Sequence, residues 1–383
     1  MARQKGSTDF KLIEKIFDQL SSSVAIALLK NDKLAYEFYG GRKAALFDSG
    51  SGHIKTGGGF FGFGGGRANK ASATASSNGN KEGGKHNAAK TTETGVNRTT
   101  RFNIGSASAL FTGALAVKLM EFGELRLNDP VARFIPEFAF DDIAIFHLLT
   151  HTSGLNSAVL PLPDNIAAKQ EFFRKLYEGL KREYNPGANY EYFQYNYAIL
   201  ADIIEKVTGQ MLDELASVLL FMPLGMKHTT YNGVSLRDHQ YVTPWNHKEN
   251  RFMSELHTKQ PTGQSGVYTT ALDLLRYGRM FLNGGEFEGK SVFLESSIDF
   301  MLREVTGAKF MRTPLFMIKR KVDIFGCFSE KLSPDAVALT GDMGSILFID
   351  PLHRIVGAAL TNSTWVHAVD QNYNNIVDIL TSI

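Results

Sequence analysis

Between Ile54 and Val96 this 383-residue chain has no valine, leucine, isoleucine or methionine, and its only large apolar side chains there are Phe60, Phe61 and Phe63. Thirteen of the 36 glycines fall between Gly50 and Gly95. Such a stretch buries too little apolar surface to offset the entropy lost on ordering it. Residues 48–95 therefore read as a Gly-rich disordered insertion, and any folded body must be assembled from the two flanking parts. The organisation expected is 1–47 as an N-terminal helix and first strands, 48–95 as the insertion, and 96–383 as the remainder of a single domain.

The flanks carry regular patterns. Ser22–Tyr39 (SSVAIALLKNDKLAYEFY) reads as a hairpin, an apolar strand and an alternating strand joined at Asn31-Asp32. Before it, MARQKGSTDFKLIEKIFDQL reads as an amphipathic helix capped near Ser7 or Thr8. Helical periods run through Leu110–Phe122, Ala168–Leu180, Tyr197–Thr208, Leu212–Leu219 and Leu272–Leu282, some closed by a glycine such as Gly123 or Gly209. Two β-rich runs, GSILFID and RIVGAALTN, meet at Pro351-Leu352-His353, and a last helix is expected over Val366–Ile383. Strands at both ends with helices between them predict an α/β (α+β) domain. Its antiparallel sheet is built from both chain ends, flanked by helices, with a mainly helical subdomain.

Charge and cysteine content narrow the functions. The formal net charge is +2, and seven Lys/Arg against three Asp/Glu between Asp48 and Thr100 account for more than all of it. A folded body without a basic surplus argues against nucleic-acid binding. The single cysteine, Cys327, excludes an intramolecular disulfide and sits in the apolar run DIFGCF as a buried thiol. No segment approaches the roughly 18 apolar residues of a membrane span. A soluble protein is expected, cytoplasmic as written, or exported if a signal peptide has been removed. The pattern calls for no cofactor and no metal, and it leaves the oligomeric state open.

Three short motifs match by letters and fail by context. GGEFEGKS (Gly284–Ser291) fits a phosphate-binding loop, yet it follows a helix and would place Glu286 and Glu288 inside the cradle, so a turn is expected. His147 and His151 have the spacing of a helical zinc pair, but Leu148 stands where a general base is needed, so a structural role is expected. Lys55-Thr56-Gly57 falls in the insertion, away from any core strand. Asp129, Glu205 and Asp273 read as helix-end or surface groups, with Thr270 and Asp273 at capping-box spacing.

An ordered set of segments is more specific than any of these. It comprises FNIGSASALFTGALAVKLMEFGELRLNDP (Phe102–Pro130), HLLTHTSGL (His147–Leu155) and NPGANYEYFQYNYAILADIIEKVTG (Asn185–Gly209). It continues with LLFMPLGMKHTTYN (Leu219–Asn232), SGVYTTALDLLRYGRMFLNGG (Ser265–Gly285) and ALTGDMGSILFIDP (Ala338–Pro351). In order and spacing these resemble the serine β-lactamase-like family of class C β-lactamases, D-alanyl-D-alanine carboxypeptidases, esterases and D-amino-acid peptidases. The resemblance implies a β-lactamase/transpeptidase-like fold and a cleft that takes a small-molecule or peptide-like ligand.

The family's chemistry needs three elements, and the resemblance maps each onto this chain. Ser-x-x-Lys at a helix start becomes Ser106 with Ala109 in the lysine position. Tyr-x-Asn becomes Tyr192 and Gln194, and the Lys- or His-x-Gly strand becomes Leu339, Thr340 and Gly341. The backbone N–H groups of Ser106 and Asp342 would form the oxyanion hole, with Gln194, Thr340 and Gly341 beside the substrate. A serine needs a neighbour to take its proton. With Ala109 and Leu339 unable to help, Tyr192 could serve only as phenolate, and roughly one free tyrosine in a thousand is ionised at pH 7, a cost of about 4 kcal/mol. Three readings follow. The favoured one is a scaffold that has lost most or all hydrolytic activity and binds a ligand or partner. The second is an active serine hydrolase (esterase, D-amino-acid peptidase or β-lactam-binding) using Ser106 with a rearranged base. The third is an active enzyme carrying an introduced Lys→Ala change at 109, against which Leu339 counts. Ser106 also suits a helix N-cap and Tyr192 a core aromatic.

Overall fold

The computed structural model describes residues 23–41, 95–307, 310–320, 326–364 and 372–383. The expected N-terminal helix, the Lys55-Thr56-Gly57 triplet, all of segment 48–95 except Gly95 and positions 366–371 of the final helix lie outside these residues.

Six strands form one antiparallel sheet: β1 (Val24–Lys30), β2 (Lys33–Gly40), β3 (Met317–Ile318), β4 (Val337–Gly341), β5 (Ser345–Asp350) and β6 (Ile355–Thr361). Their spatial order is β3-β4-β5-β6-β1-β2, so the two chain ends meet where β1 pairs with β6, Val24 opposite Thr361. The hairpin turn is Asn31 (φ 51°) and Asp32 (φ 62°), both in the left-handed region that a tight two-residue turn with the right twist requires. Asp32 is then held by Arg279 and Arg354 at 3.1 and 2.5 Å, which keep its carboxyl below the usual range.

Period-two alternation sends each strand's side chains to two cores. Ala25, Ala27 and Leu29 face the helical body, while Val24, Ile26 and Leu28 face the C-terminal helix. Leu347 and Ile349 divide from Ile346 and Phe348 in the same way. Burial on both faces explains why these strands read as continuous apolar runs. Gly357 stands opposite Phe348, and a Cβ there would lie 2.1 Å from the Phe348 ring.

Eight α-helices occur among the described residues: α1 (Ala109–Glu121), α2 (Ile145–Leu149), α3 (Ile166–Gly179), α4 (Tyr195–Thr208), α5 (Leu212–Ala216), α6 (Ala271–Leu282), α7 (Glu295–Leu302) and α8 (Asn372–Thr381). Five match the expected periods to within a few residues, and α4 ends at Gly209 with φ 67°. Beyond α5 the backbone passes into a π-helical turn, Ser217–Phe221. The short α2 and the helix α7 were not expected. The strand β4 is too short to show a period and was expected only through the resemblance, as the strand that carries Leu339, Thr340 and Gly341.

The lesser expectations resolve locally. Gly284–Ser291 forms a turn and a small hairpin, Glu286–Phe287 against Lys290–Ser291. Thr270 caps α6 by accepting from Asp273 N at 3.1 Å, and Asp273 also accepts from His228 N and Thr229 Oγ1. Asp129 pairs with Arg133, and Glu205 pairs with the buried Lys169. Cys327 is buried.

Candidate active site

The first motif sits where the chain enters α1. Gly105 takes φ +54°, and Gly105–Ser108 make one 3₁₀ turn before the α-helix begins. Ser106 caps nothing, a correction to the capping role its sequence position suggested. Its hydroxyl instead accepts from the Asp342 backbone N–H at 3.2 Å. Ser108 stabilises the turn, donating to Gly105 O and accepting from Val267 N.

The third motif arrives at the same place on β4. A Cβ on Gly341 would lie 2.2 Å from Ile104 O, so the absence of a side chain lets the strand lie against the entry to α1. This approach brings Asp342 to Ser106 twice over. In the reverse direction Ser106 N–H donates to Asp342 Oδ1 at 2.7 Å. The two N–H groups expected to form an oxyanion hole are therefore side by side, and each is engaged by the other residue's side chain. A carboxylate oxygen already occupies the Ser106 donor.

The second motif lies in the loop before α4. Tyr192 is 54 % exposed, so it is not the core aromatic its sequence setting allowed. Its ring is tilted 40° against the His151 ring, with centroids 4.9 Å apart. The phenol is pushed up to about 12, first by loss of hydration and second by the Asp342 charge, while hydrogen bonding with Ser106 pulls the other way. Gln194 lies between two lobes of the cleft and lines both.

The larger lobe, about 400 Å³, is bounded by Ser106, Ala109, Tyr192, Gln194, Leu339, Thr340 and Asp342, so every substituted motif position faces one space. His151, Tyr190, Tyr197, Arg312, Leu315 and Met317 complete it. The smaller lobe, about 230 Å³, lies on the other side of Ser106 beside Asn103, Lys259 and Gln264. A cavity of about 460 Å³ around Lys169 and Glu205 shares no residue with either lobe and holds no motif position.

Two of the residues lining the larger lobe, His151 and Arg312, were not read from the sequence as site residues. His147 fulfils the structural role expected of it, its Nδ1 accepting from Ala144 N at the start of α2. His151 behaves differently: it takes φ 53°, lies buried among Tyr190, Tyr192 and Tyr197, and faces the lobe. Burial first and the Arg312 charge second push its imidazole down to about 3, so it is neutral. Its Nδ1 is 3.4 Å from the Phe193 N–H and 3.2 Å from Asn196 Nδ2, so the ring's acceptor nitrogen is already used. Arg312 comes from the irregular chain before β3, where no periodicity or motif marks it. No lysine or histidine nitrogen among the described residues hydrogen-bonds the Ser106 hydroxyl.

A mixed fold with a serine at the start of a buried helix, faced by a tyrosine-bearing loop and by strand β4, is that of the β-lactamase and penicillin-binding-protein class. The family profile described as Beta-lactamase matches residues 13–378, and the chain belongs to that family. A class C β-lactamase solved with cefoxitin is 18 % identical at TM-score 0.68, the match covering 98 % of both chains. The D-alanine carboxypeptidase AmpC of Burkholderia cenocepacia is 21 % identical at TM-score 0.67, again over 98 % of both. A Salmonella agona (strain SL483) protein with the provisional name D-alanyl-D-alanine carboxypeptidase is 24 % identical over 302 residues, 69 % of each chain. The structural likenesses establish the β-lactamase/penicillin-binding fold. No helix among the described residues is long and apolar enough to cross a membrane.

Proposed function

We propose that this protein is a ligand-binding member of the family in which the serine is retained but its acylation chemistry has been given up. The observation that carries this reading is the Asp342 carboxylate on the Ser106 N–H, 2.7 Å away. An acyl substrate would need that donor for its carbonyl oxygen, and it would meet a like charge as its own oxyanion formed. Proton transfer is impaired independently. Ala109 and Leu339 carry no amine, and the His151 acceptor nitrogen is occupied. The Tyr192 hydroxyl, raised above the ordinary phenol value, is even less ionised at neutral pH than a free tyrosine. The single cationic side chain lining the larger lobe is Arg312, a guanidinium that supplies positive charge rather than a general base. The cleft keeps its walls, its polar floor and a positive charge, which are the requirements for binding.

Covalent labelling tests the reading. A fluorophosphonate and a fluorescent penicillin are incubated with the wild-type protein, Ser106→Ala, Ala109→Lys and the double variant Ala109→Lys/Asp342→Gly. Labelling is expected only where the lysine is restored, and more strongly in the double variant than in Ala109→Lys alone. Wild-type labelling that disappears in Ser106→Ala would sink the proposal and establish an active serine hydrolase with a rearranged base.

A further inference from the structure

The cavity of about 460 Å³ around Lys169 and Glu205 is lined by α3 and α4, with Glu137 and Met211 reaching it from flanking loops. Ligand pockets commonly combine apolar walls with a few polar groups at volumes of about 300–1,000 Å³. Here Phe173 and Tyr177 supply stacked rings, centroids 6.1 Å apart and 21° from parallel, and Ile166 on the same helix is 58 % exposed. The polar groups are unevenly matched. Asp202 is 8 % exposed; its Oδ2 accepts from the Tyr177 hydroxyl and from Lys206 Nζ, while Oδ1 has no hydrogen bond among the described residues. Glu205 repeats the arrangement: Oε1 accepts from Lys169 Nζ and Leu212 N, and Oε2 has no partner among those residues. The lining cations Lys169, Arg174 and Lys206 are all paired, with Glu205, with Glu171 and Glu178, and with Asp202. Glu137 has neither a hydrogen bond nor an ion pair among the described residues. The Tyr177 hydroxyl is raised first by burial, then by Asp202 and last by the Glu137 charge, so Glu137 stands at the aromatic end. Of the charges lining the cavity, the Glu137 carboxylate is the one left unbalanced.

We propose that this cavity is a second ligand site, separate from the serine cleft, and that it takes a small organic cation, an ammonium group on an aromatic or alkyl body. The ammonium supplies the positive charge that Glu137 lacks and donates to the acceptor oxygens that Asp202 and Glu205 keep open. Both acceptors are fixed before the ligand arrives, because the other oxygen of each carboxylate is held by two donors. The apolar body covers the Phe173–Tyr177 wall and Ile166, which accounts for the exposure of that isoleucine. The wall already accommodates an ammonium in the protein itself, since Lys206 Nζ lies 5.7 Å from the centre of the Tyr177 ring. An anion would find every lining cation neutralised and would meet Glu137 as a like charge. The cavity shares no residue with either lobe of the cleft, so the site stands whether or not Ser106 can be acylated.

The probe is 2-phenylethylamine, protonated at neutral pH, set against 2-phenylethanol, which has the same shape and no charge. Affinities are read by ligand-observed NMR titration at low salt on the full chain. The amine is expected to bind the wild type about fivefold more tightly than the alcohol. Glu137→Gln is expected to remove at least half of that preference, and it leaves every paired group in the cavity untouched. Asp141→Asn is the control for charge alone: this exposed carboxylate lies four positions further on, outside the cavity, and its loss should leave the preference unchanged. Ile166→Trp, at an exposed position of α3, fills part of the space and should weaken both compounds. Circular dichroism confirms the fold of each variant, and because Glu137 and Ile166 are both exposed, two independent substitutions remain readable. No saturable binding of the amine, equal affinity for the two compounds, a preference undiminished in Glu137→Gln, an equal reduction in Asp141→Asn, or unaltered binding in Ile166→Trp would each overturn the site.

Discussion

Asp342 and Gly341 show how one position sets the environment of the next. Gly341 carries no side chain, so β4 can approach Ile104 O, and that approach delivers Asp342 to Ser106. Gly341→Ala would place a Cβ 2.2 Å from that carbonyl and 3.0 Å from the Ala107 Cβ. Backbone atoms in a strand and a buried turn cannot swing aside, so the substitution should cost about 2–3 kcal/mol, seen as a lower urea midpoint with an unchanged slope. At this scale the sequence revealed a great deal. The identities of Ser106, Ala109, Tyr192, Gln194 and Leu339 can be read from motif order alone, and all five face one lobe. What could not be read was Asp342 Oδ1 on Ser106 N–H, because a contact across 236 positions depends on a side-chain rotamer and on how closely two elements pack.

Among the elements, α6 has the clearest relation between pattern and packing. Thr270 opens it, its buried residues recur at helical spacing, and it lies directly on the sheet. Gly278 is the closest point: a Cβ there would sit 2.3 Å from Val356 Cγ1 on β6. Alanine is normally the better helix former by about 1 kcal/mol. Here Gly278→Ala is expected to destabilise by about 1–2 kcal/mol instead, measured by thermal unfolding, because overpacking outweighs propensity. A rise in Tm would show that α6 can move off the sheet at little cost. Long helices and the two-sided strands were legible because their periods extend over many residues. The short α2 was not, β4 was legible only as a motif strand through the resemblance, and Arg312, the cation of the larger lobe, lies in a stretch with no period.

Across the whole molecule, stability should depend on pH through His151. The ordinary imidazole value is 6.5, and burial among the tyrosines pushes this one down to about 3. As pH falls below about 6.5, the unfolded chain takes up a proton that the folded chain refuses until about 3. The contribution is therefore fully present above the unfolded value and declines as acid is added. Between roughly pH 8 and pH 5 the wild type should lose about 2 kcal/mol more than His151→Gln does, read from urea unfolding at the two pH values. An equal loss in both proteins would mean that His151 is protonated in the fold.

The sequence by itself determined the family, the sheet drawn from both chain ends, the helical body and the absence of the serine's usual lysine. These follow from local period, residue type and motif order, which are properties of a line of residues. Only the tertiary structure decided what surrounds the serine. Whether a carboxylate meets the Ser106 N–H, whether a histidine is neutral and whether a buried arginine has a carboxylate beside it among the described residues depend on distance and hydration between segments far apart in the chain. Electrostatic interactions strengthen as water is excluded, and water is excluded only once the fold has closed around them.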